Sequence, residues 1–235
     1  MVIKLPLHII CILLGISLCF YAISTIAFVH RETVLSSAHQ EHILVLDPGH
    51  GGLDGGAVGI KGNKESELNL EIALKTQALC KLLGIPHTMT RSTEDLTYPE
   101  GAKTISEKKS ADQNSRIDLI RSIPNGIVYS IHQNSYPSSS VSGFQVLYGH
   151  NDRSLKLGEI IQKSYNDNLF ATRRLASEIP DNIYIFKHID CPGVLIECGF
   201  ISNAQDSALL QTDVHQIKLA ILFTTAYLEF INTTN

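Results

Sequence analysis

The feature that most constrains the fold is an apolar run of strand length that ends in an ionisable residue, and it occurs three times. The run over 43–46 is followed by Asp-Pro-Gly and then His50. The run over 126–131 is followed directly by His132, and the run over 193–196 directly by Glu197. Continuous runs rich in β-branched residues are typical of strands that are buried on both faces of a sheet. In such sheets the functional site lies beyond the carboxyl ends of the strands. The pattern therefore predicts two histidines and a glutamate at one sheet edge, which suggests a metal hydrolase.

Helical periodicity alternates with these strands along the chain. Leu68, Ile72, Leu79 and Leu82 recur at helical spacing, and Gly84 provides a stop signal. The remaining predicted elements are helices over 115–122, 154–166 and 214–231, strands over 85–90, 144–148 and 183–186, and a polar surface excursion over 92–112. This alternation predicts an α/β fold, a single domain with a twisted, mostly parallel central sheet covered by helices on both faces.

The N-terminus predicts a membrane or signal segment ahead of that domain. Residues 9–29 carry no charge, and their number is close to the roughly 20 residues that span a bilayer. A cleaved signal peptide has a shorter apolar core of about 7–15 residues, so an uncleaved anchor is favoured and a cleaved signal is the alternative. We therefore assign residues 1–40 to an anchor and linker and 41–235 to a catalytic domain on the extracytoplasmic side.

Charge and cysteine content exclude several classes of protein. The formal net charge is −4, which argues against a nucleic-acid partner because such partners require a basic face. The cysteines outside the N-terminal run, Cys80, Cys191 and Cys198, have no close spacing. They therefore predict neither a zinc ribbon nor a disulfide framework. A pairing of Cys191 with Cys198 is the alternative to simple burial of Cys198.

The glycine-rich loop over 49–56 does not fit a phosphate cradle. Asp54 stands where the dinucleotide fingerprint requires glycine, and no Gly-Lys-Ser/Thr sequence occurs for a P-loop. A catalytic zinc ion fits better, because it takes three nitrogen or oxygen ligands and leaves one position for water. His50 and His132 supply two imidazoles, and Glu65 and Glu67 are both available near the predicted helix start. Spacing alone does not decide between Glu65 and Glu67 as the third ligand. It also leaves open the alternative that His50 and His132 are polar residues that end strands and bind no metal.

Four sequence blocks, in order, resemble the zinc-dependent N-acetylmuramoyl-L-alanine amidases of the amidase-3 class. The blocks are LDPGHGG-x-D at 46–54, E-x-x-x-NL at 65–70, SIH-x-NS at 130–135 and VLIE-x-GFISN at 194–203. The resemblance covers the chain from about residue 43 to 231. Within the family, the short build of an N-terminal anchor and one catalytic domain is similar to the germination-specific type that modifies the spore cortex.

The resemblance implies a role for each matching residue. His50, Glu65 and His132 match the family's zinc ligands, and Glu197 matches its catalytic glutamate. The implied reaction is hydrolysis, by zinc-activated water, of the amide between the lactyl group of N-acetylmuramic acid and L-alanine of the stem peptide, in spore cortex maturation through the muramic-lactam pathway. Ser66 departs from the basic residue usual after the ligand glutamate, and Cys198 departs from the usual small hydroxyl residue.

Other polar residues support weaker hypotheses. Asn134 is a candidate substrate contact, with strand capping as the alternative. Arg174, with its neighbour Arg173, is a candidate for a stem-peptide carboxylate, with a solvated surface as the alternative. Arg116 is either a structural helix residue or a substrate contact. Asp47 either orients His50 or serves a turn before glycine.

The expected partners and location follow from the same reading. The substrate is peptidoglycan, the N-terminal segment contacts the membrane, and an activating accessory protein is a further expected partner. The enzyme is expected at the extracytoplasmic face of the membrane, in the cell wall or spore cortex space. The rival interpretations are a non-catalytic or partner-dependent wall-binding protein and a zinc peptidase that acts on stem peptides.

Overall fold

The structure, a computed structural model, describes residues 42–170 and 174–233 together with the isolated positions 17 and 21. Apart from those two positions, the expected anchor over 9–29 lies outside the described residues. No helix among the described residues has both the length and the hydropathy needed to cross a membrane. The described strands all lie within the compact unit Glu41–Asn235.

Six strands and six helices make up this unit in the described residues. The strands are β1 Ile43–Pro48, β2 His87–Met89, β3 Gly126–Asn134, β4 Gln145–Tyr148, β5 Ser177–Glu178 and β6 Gly193–Phe200. The helices are α1 Glu65–Leu83, α2 Ile105–Ser122, α3 Asp152–Asn168, α4 Tyr184–Lys187, α5 Ala204–Leu210 and α6 Asp213–Thr233.

The strands form one mixed sheet in the order β2-β1-β3-β6-β4-β5. Neighbouring strands are parallel except for β4, which is antiparallel to β6. The three strands with the apolar runs, β1, β3 and β6, are therefore adjacent, and their carboxyl ends meet at the same edge. His132 lies directly opposite Glu197 in the β3–β6 register. The predicted mostly parallel α/β architecture is confirmed.

Helices cover both faces of the sheet. On one face, alternate strand residues such as Leu46, Tyr129 and Ile196 pack with α1, α3 and α6 in one buried cluster. On the other face, Val45 and its neighbours in β3 and β6 pack with residues of α2 and α4. Both sides of each central strand are therefore removed from water, which explains the continuous rather than alternating apolar runs.

Two sequence predictions were wrong, and the packing explains why. Residues 92–112 were expected to be a surface excursion, but α2 begins at Ile105, where a reciprocal capping box between Thr104 and Glu107 starts it. Few apolar side chains of α2 are buried, so periodicity did not reveal its first half. Residues 183–186 were expected to be a strand, but α4 occupies this apolar stretch. The alternative pairing of Cys191 with Cys198 is also absent, since both thiols are free.

The hydroxyl of Tyr129 provides a test of the core. Tyr129 is fully buried, and none of the described residues offers its hydroxyl a hydrogen-bond partner. The Tyr129→Phe substitution should raise the free energy of unfolding by about 1 kcal/mol, because it removes a buried polar group that gains nothing on folding. Urea unfolding measures this change.

The matched control is Tyr227→Phe. The Tyr227 hydroxyl donates a 2.7 Å hydrogen bond to the His42 carbonyl, so its loss should lower the free energy of unfolding by about 1 kcal/mol. If both variants are destabilised equally, the Tyr129 hydroxyl is satisfied in solution and the prediction is wrong.

Candidate metal centre

Three side chains singled out in the sequence as metal ligands converge at the carboxyl edge of the sheet. Glu65 Oε1, at the start of α1, lies 3.3 Å from His50 Nε2 and 3.0 Å from His132 Nδ1. One donor atom from each residue lies within 4.8 Å of the other two. The two imidazole rings meet edge to face, with their centroids 5.1 Å apart.

This donor set fits a zinc ion. Zinc–nitrogen and zinc–oxygen bonds of about 2.0–2.1 Å in a tetrahedron give ligand-to-ligand separations of about 3.3 Å. The two separations at Glu65 Oε1 are close to that value. Two imidazoles and one carboxylate also form the type of three-ligand set found in catalytic zinc sites, which keep a position for water.

The His50 side chain is presented by a turn of unusual backbone geometry. His50 has φ of 60°, in the left-handed region that costs a non-glycine residue conformational energy. Its Nδ1–H donates to Asp54 Oδ2 at 2.9 Å, which leaves Nε2 facing Glu65. A hydrogen bond of this kind fixes the tautomer and the orientation of a metal-binding imidazole. Asp54 therefore orients His50, a role that the sequence offered as one of two alternatives for Asp47.

Close backbone approach makes glycine necessary at position 49. A Cβ atom on Gly49 would lie 2.1 Å from the nearest atom of the His132 ring. The strand-to-loop junction of β1 therefore forms one wall of the His132 site, and only a residue without a side chain leaves room for the imidazole.

The Glu65 carboxylate is held in its charged form. Its Oε2 accepts a hydrogen bond from the Ala57 amide at 2.9 Å, and its Oε1 accepts one from the Gln133 amide at 3.1 Å. Burial raises the pKa of Glu65, but hydrogen bonds and charge interactions with His132 and His50 outweigh it and hold that pKa well below its usual range. Glu65 is therefore a preformed anionic ligand.

Glu197 differs from Glu65 in its surroundings, although both lie at the same site. Glu197 Oε2 is buried and has no hydrogen-bond partner among the described residues. Burial, with a contribution from the Glu65 charge, raises the pKa of Glu197 to about 7, although His132 and His50 act in the opposite direction. A carboxyl group with that pKa can both accept and donate a proton near neutral pH. Its strand continues to Phe200, so Glu197 does not end β6.

Asp47 and Arg116 support the loop that carries His50. Arg116 is buried and contacts Asp47 Oδ1 at 3.3 Å and the Pro48 carbonyl at 2.9 Å, and it also donates to the His50 carbonyl. The Asp47 carboxylate accepts further hydrogen bonds from the hydroxyls of Ser130 and Thr90. Burial raises the pKa of Asp47, but Arg116 and the two hydroxyls lower it overall. These contacts give Arg116 a structural role, and because it also lines the cleft described below, its substrate role stays a prediction.

A cleft of about 300 Å³ opens beside the ligands and Glu197. One wall is a face of α2, whose residues Lys109, Asp112, Gln113 and Arg116 recur at helical spacing. Lys109 Nζ lies 2.8 Å from Asp54 Oδ2, so α2 also contacts the residue that orients His50. The opposite wall includes Asn182 and residues of α4.

Two of the weaker sequence hypotheses, Asn134 and Arg174, fall outside this cleft. Asn134 is the last residue of β3, and its carbonyl accepts a hydrogen bond from the Ile201 amide. Arg174 donates to Gln145 Oε1, one strand away from Glu197, and to the Ser142 carbonyl. Neither lines the cleft, and Arg173 lies outside the described residues. Their substrate roles stay predictions.

Several functional residues could not be assigned from the sequence. Asp54 belongs to the quoted glycine-rich block, and its position four residues after His50 was the available signal. Lys109 lies in the stretch 92–112 that was expected to be surface, and Arg91 lies just before it; no pattern marked either residue. Cys198 is buried, and burial raises the pKa of its thiol well above the usual range, so it is a poor candidate for a nucleophile.

Comparisons of sequence and of structure relate this chain to cell-wall amidases. Residues 44–228 match the Amidase_3 family, described as N-acetylmuramoyl-L-alanine amidase. The germination-specific N-acetylmuramoyl-L-alanine amidase of Bacillus subtilis is 38% identical over 179 residues, which are 76% of this chain and 75% of that protein.

Two solved structures share the fold. The CwlD amidase from Clostridioides difficile, in complex with the GerS lipoprotein, superposes with a TM-score of 0.77 at 30% identity and covers 82% of this chain and 99% of that one. The catalytic domain of CwlV, an N-acetylmuramoyl-L-alanine amidase from Bacillus (Paenibacillus) polymyxa var. colistinus, has a TM-score of 0.69 at 27% identity and covers 81% and 98% of the two chains.

The Gly49→Ala substitution should disrupt zinc binding, because the added methyl group would displace the His132 ring. We expect the zinc affinity to fall at least about tenfold, since even outer-sphere changes cost 10–100-fold. Gly101→Ala is the control, because a Cβ there meets no atom within 4 Å. Titration with a competing chelator measures both affinities, and equal affinity in the two variants would contradict the prediction.

The raised pKa of Glu197 predicts a pH-dependent stability of the metal-free protein. A folded-state pKa of about 7 against an ordinary value of 4.5 means that the folded state retains the proton to higher pH than the unfolded state does. Stability from this group is present below pH 4.5 and is lost as the pH rises through 7. Glu197→Gln should therefore become more stable than the parent by on the order of 3 kcal/mol above pH 7 and by little at pH 4.5. Urea unfolding with a chelator present measures the difference, and a difference that does not change with pH would refute the prediction.

Proposed function

This chain belongs to the N-acetylmuramoyl-L-alanine amidase family, and we propose that it hydrolyses the amide joining the lactyl group of N-acetylmuramic acid to L-alanine of the peptidoglycan stem peptide. The observation that carries this proposal is the convergence of two imidazoles and one carboxylate beside a buried Glu197 oxygen that has no partner among the described residues. The 300 Å³ cleft beside them gives a linear substrate access.

His50, Glu65 and His132 would hold the zinc ion in this proposal. A zinc ion there would supply Lewis-acid chemistry, making water more acidic and the amide carbonyl more electrophilic. Asp54 keeps the His50 imidazole in the tautomer that presents Nε2. The amides of Ala57 and Gln133 keep Glu65 in place and charged.

Glu197 is the general base and then the general acid. Its Oε2 accepts one proton as the water oxygen bonds to the amide carbon, and it delivers that proton to the nitrogen as the carbon–nitrogen bond breaks. The products are a stem peptide with a free amino terminus and a muramic acid whose lactyl group is a free carboxylic acid. The reaction requires no nucleophilic side chain, which agrees with the burial of Cys198.

The polar cleft wall is the proposed substrate surface. Lys109, Gln113 and Asn182 present a cation and two amides to the cleft, and stem peptides offer carboxylates and peptide groups to such partners. Arg174 and Asn134 remain candidates for contacts farther along the peptide. Arg174 donates a hydrogen bond to Gln145, and Gln145 lies opposite Glu197 in the neighbouring strand β4.

The proposed setting is the spore cortex. The Bacillus subtilis relative is named germination-specific, and this enzyme would expose bare muramic acid for the step that forms muramic lactam. It would act on the extracytoplasmic side, tethered or exported by the apolar segment over 9–29.

An accessory protein is the proposed regulator. The related CwlD amidase was solved in complex with a lipoprotein, and a partner of that kind would act on this chain by completing or stabilising the metal site. The rival functions, a dormant wall-binding protein and a peptidase that cleaves within the stem peptide, lack a specific observation in their favour.

Zinc content and product release test the proposal together. The full chain and its Glu197→Gln variant should bind zinc equally, whereas release of stem peptide from muramic acid should fall at least about 10³-fold in the variant, because the general base is lost. Mass spectrometry of the muropeptides identifies the bond that is cleaved. Glu159→Gln, on the exposed side of α3, is the control and should retain parental activity.

The outcomes separate the candidates. Peptide-free muramic acid from the parent alone supports the amidase with Glu197 as base. Shortened stem peptides that stay attached to muramic acid would replace it with a peptidase. Zinc binding without any cleavage would favour the dormant protein, unless an added lipoprotein partner restores turnover.

A further inference from the structure

Arg91 is a buried cation that belongs neither to the ligand set nor to the cleft. Its side chain is 2% exposed. Its acceptors are the carbonyls of Pro48 (2.9 Å), Gly49 (3.0 Å), Ser66 (2.8 Å) and Thr93 (3.1 Å), and Glu94 Oε2 (3.2 Å). A guanidinium has five N–H groups in a fixed plane, so every donor of Arg91 has an acceptor.

Three of these acceptors, the carbonyls of Pro48, Gly49 and Ser66, come from the two segments that carry the proposed metal ligands. Pro48 and Gly49 immediately precede His50, and Ser66 immediately follows Glu65. One rigid planar group therefore spans the His50 loop and the first turn of α1. Arg116, by contrast, contacts the His50 loop but not α1, so its role is to support one segment rather than to join two.

Glu94 extends the same connection. Its Oε1 accepts a 2.5 Å hydrogen bond from the fully buried Ser66 hydroxyl, and its Oε2 accepts from Arg91. Its carbonyl accepts from the Gly52 amide at 2.8 Å, within the glycine-rich loop. Arg91 and Glu94 together thus hold both sides of the metal centre from the segment that follows β2.

We propose that Arg91 is a positioning residue that fixes the separation between His50 and Glu65 and thereby sets the affinity and geometry of the metal site. The inference rests on the metal site proposed above. Asn69 provides a second link, because its Nδ2 donates to the Gly49 carbonyl at 3.0 Å. That single neutral hydrogen bond lacks the planar fork with which Arg91 holds three carbonyls of the two ligand-bearing segments at once.

The test is the Arg91→Lys variant of the full chain. Lysine keeps the charge but replaces a planar array of five donors with a flexible point charge. We expect the zinc dissociation constant, measured by competition with a chelator, to rise about 10–100-fold, the range found when residues that orient metal ligands are changed. The visible spectrum of the cobalt(II)-substituted protein should also change, because it reports ligand number and geometry independently of turnover.

Arg121→Lys is the matched control. Arg121 also donates from its guanidinium to a backbone carbonyl, that of His188 at 2.8 Å, but at the end of α2. This variant should keep the parental zinc affinity and cobalt spectrum. Circular dichroism of the metal-free proteins shows whether each variant folds. If Arg91→Lys does not fold, Glu94→Gln decides, because it keeps Arg91 and removes only its charged partner; we expect a several-fold weaker zinc affinity.

The results distinguish this inference from the proposed function. A parent that binds no zinc overturns the metal site and the inference together. A parent that binds zinc, with a folded Arg91→Lys variant of equal affinity and unchanged cobalt spectrum, overturns the inference alone. If Arg91→Lys does not fold, unchanged zinc affinity in Glu94→Gln likewise overturns it. Weaker zinc binding with an altered spectrum in a variant that folds supports it.

Discussion

The metal site depends on how the chain leaves β1. Pro48, Gly49 and His50 direct their carbonyls at two buried guanidinium groups, those of Arg91 and Arg116. Hydrogen bonds from charged donors to carbonyls are among the stronger ones in proteins, and they offset the conformational cost of the left-handed His50 backbone. Without these contacts the loop would relax toward ordinary φ values and His50 would leave the site.

The same site gives its two glutamates opposite roles through their surroundings. Glu65 accepts hydrogen bonds from two backbone amides and lies against both imidazoles, so its charge is stabilised, which suits the ligand role proposed for it. Glu197 lies opposite His132 in the sheet, yet its Oε2 has no donor among the described residues, so burial dominates and its pKa rises to about 7. Environments that separate the pKa values of two neighbouring groups in this way assign their chemical roles.

Sequence reasoning succeeded where one strand determines a residue's position and failed where separate segments meet. The apolar runs placed His50, His132 and Glu197 at one edge because parallel strands share the direction of their carboxyl ends. The choice of Glu65 over Glu67 needed the family resemblance, since both lie in the first turn of α1. Arg91 could not be predicted, because the carbonyls that it joins, those of Pro48, Gly49 and Ser66, are more than 20 residues away along the chain.

Cys198 departs from the small hydroxyl residue usual in the family. The alternation of side chains along β6 explains why this departure leaves Glu197 undisturbed. Glu197 faces the cleft, whereas Cys198 points to the opposite face and packs in the main core. The departure at Ser66 is similarly accommodated, because its hydroxyl donates to Glu94 rather than toward the ligands. In a strand with two-residue periodicity, one set of positions carries the chemistry and the other carries the packing. The sequence can therefore change beside Glu197 as long as the neighbouring side chain still fits the core.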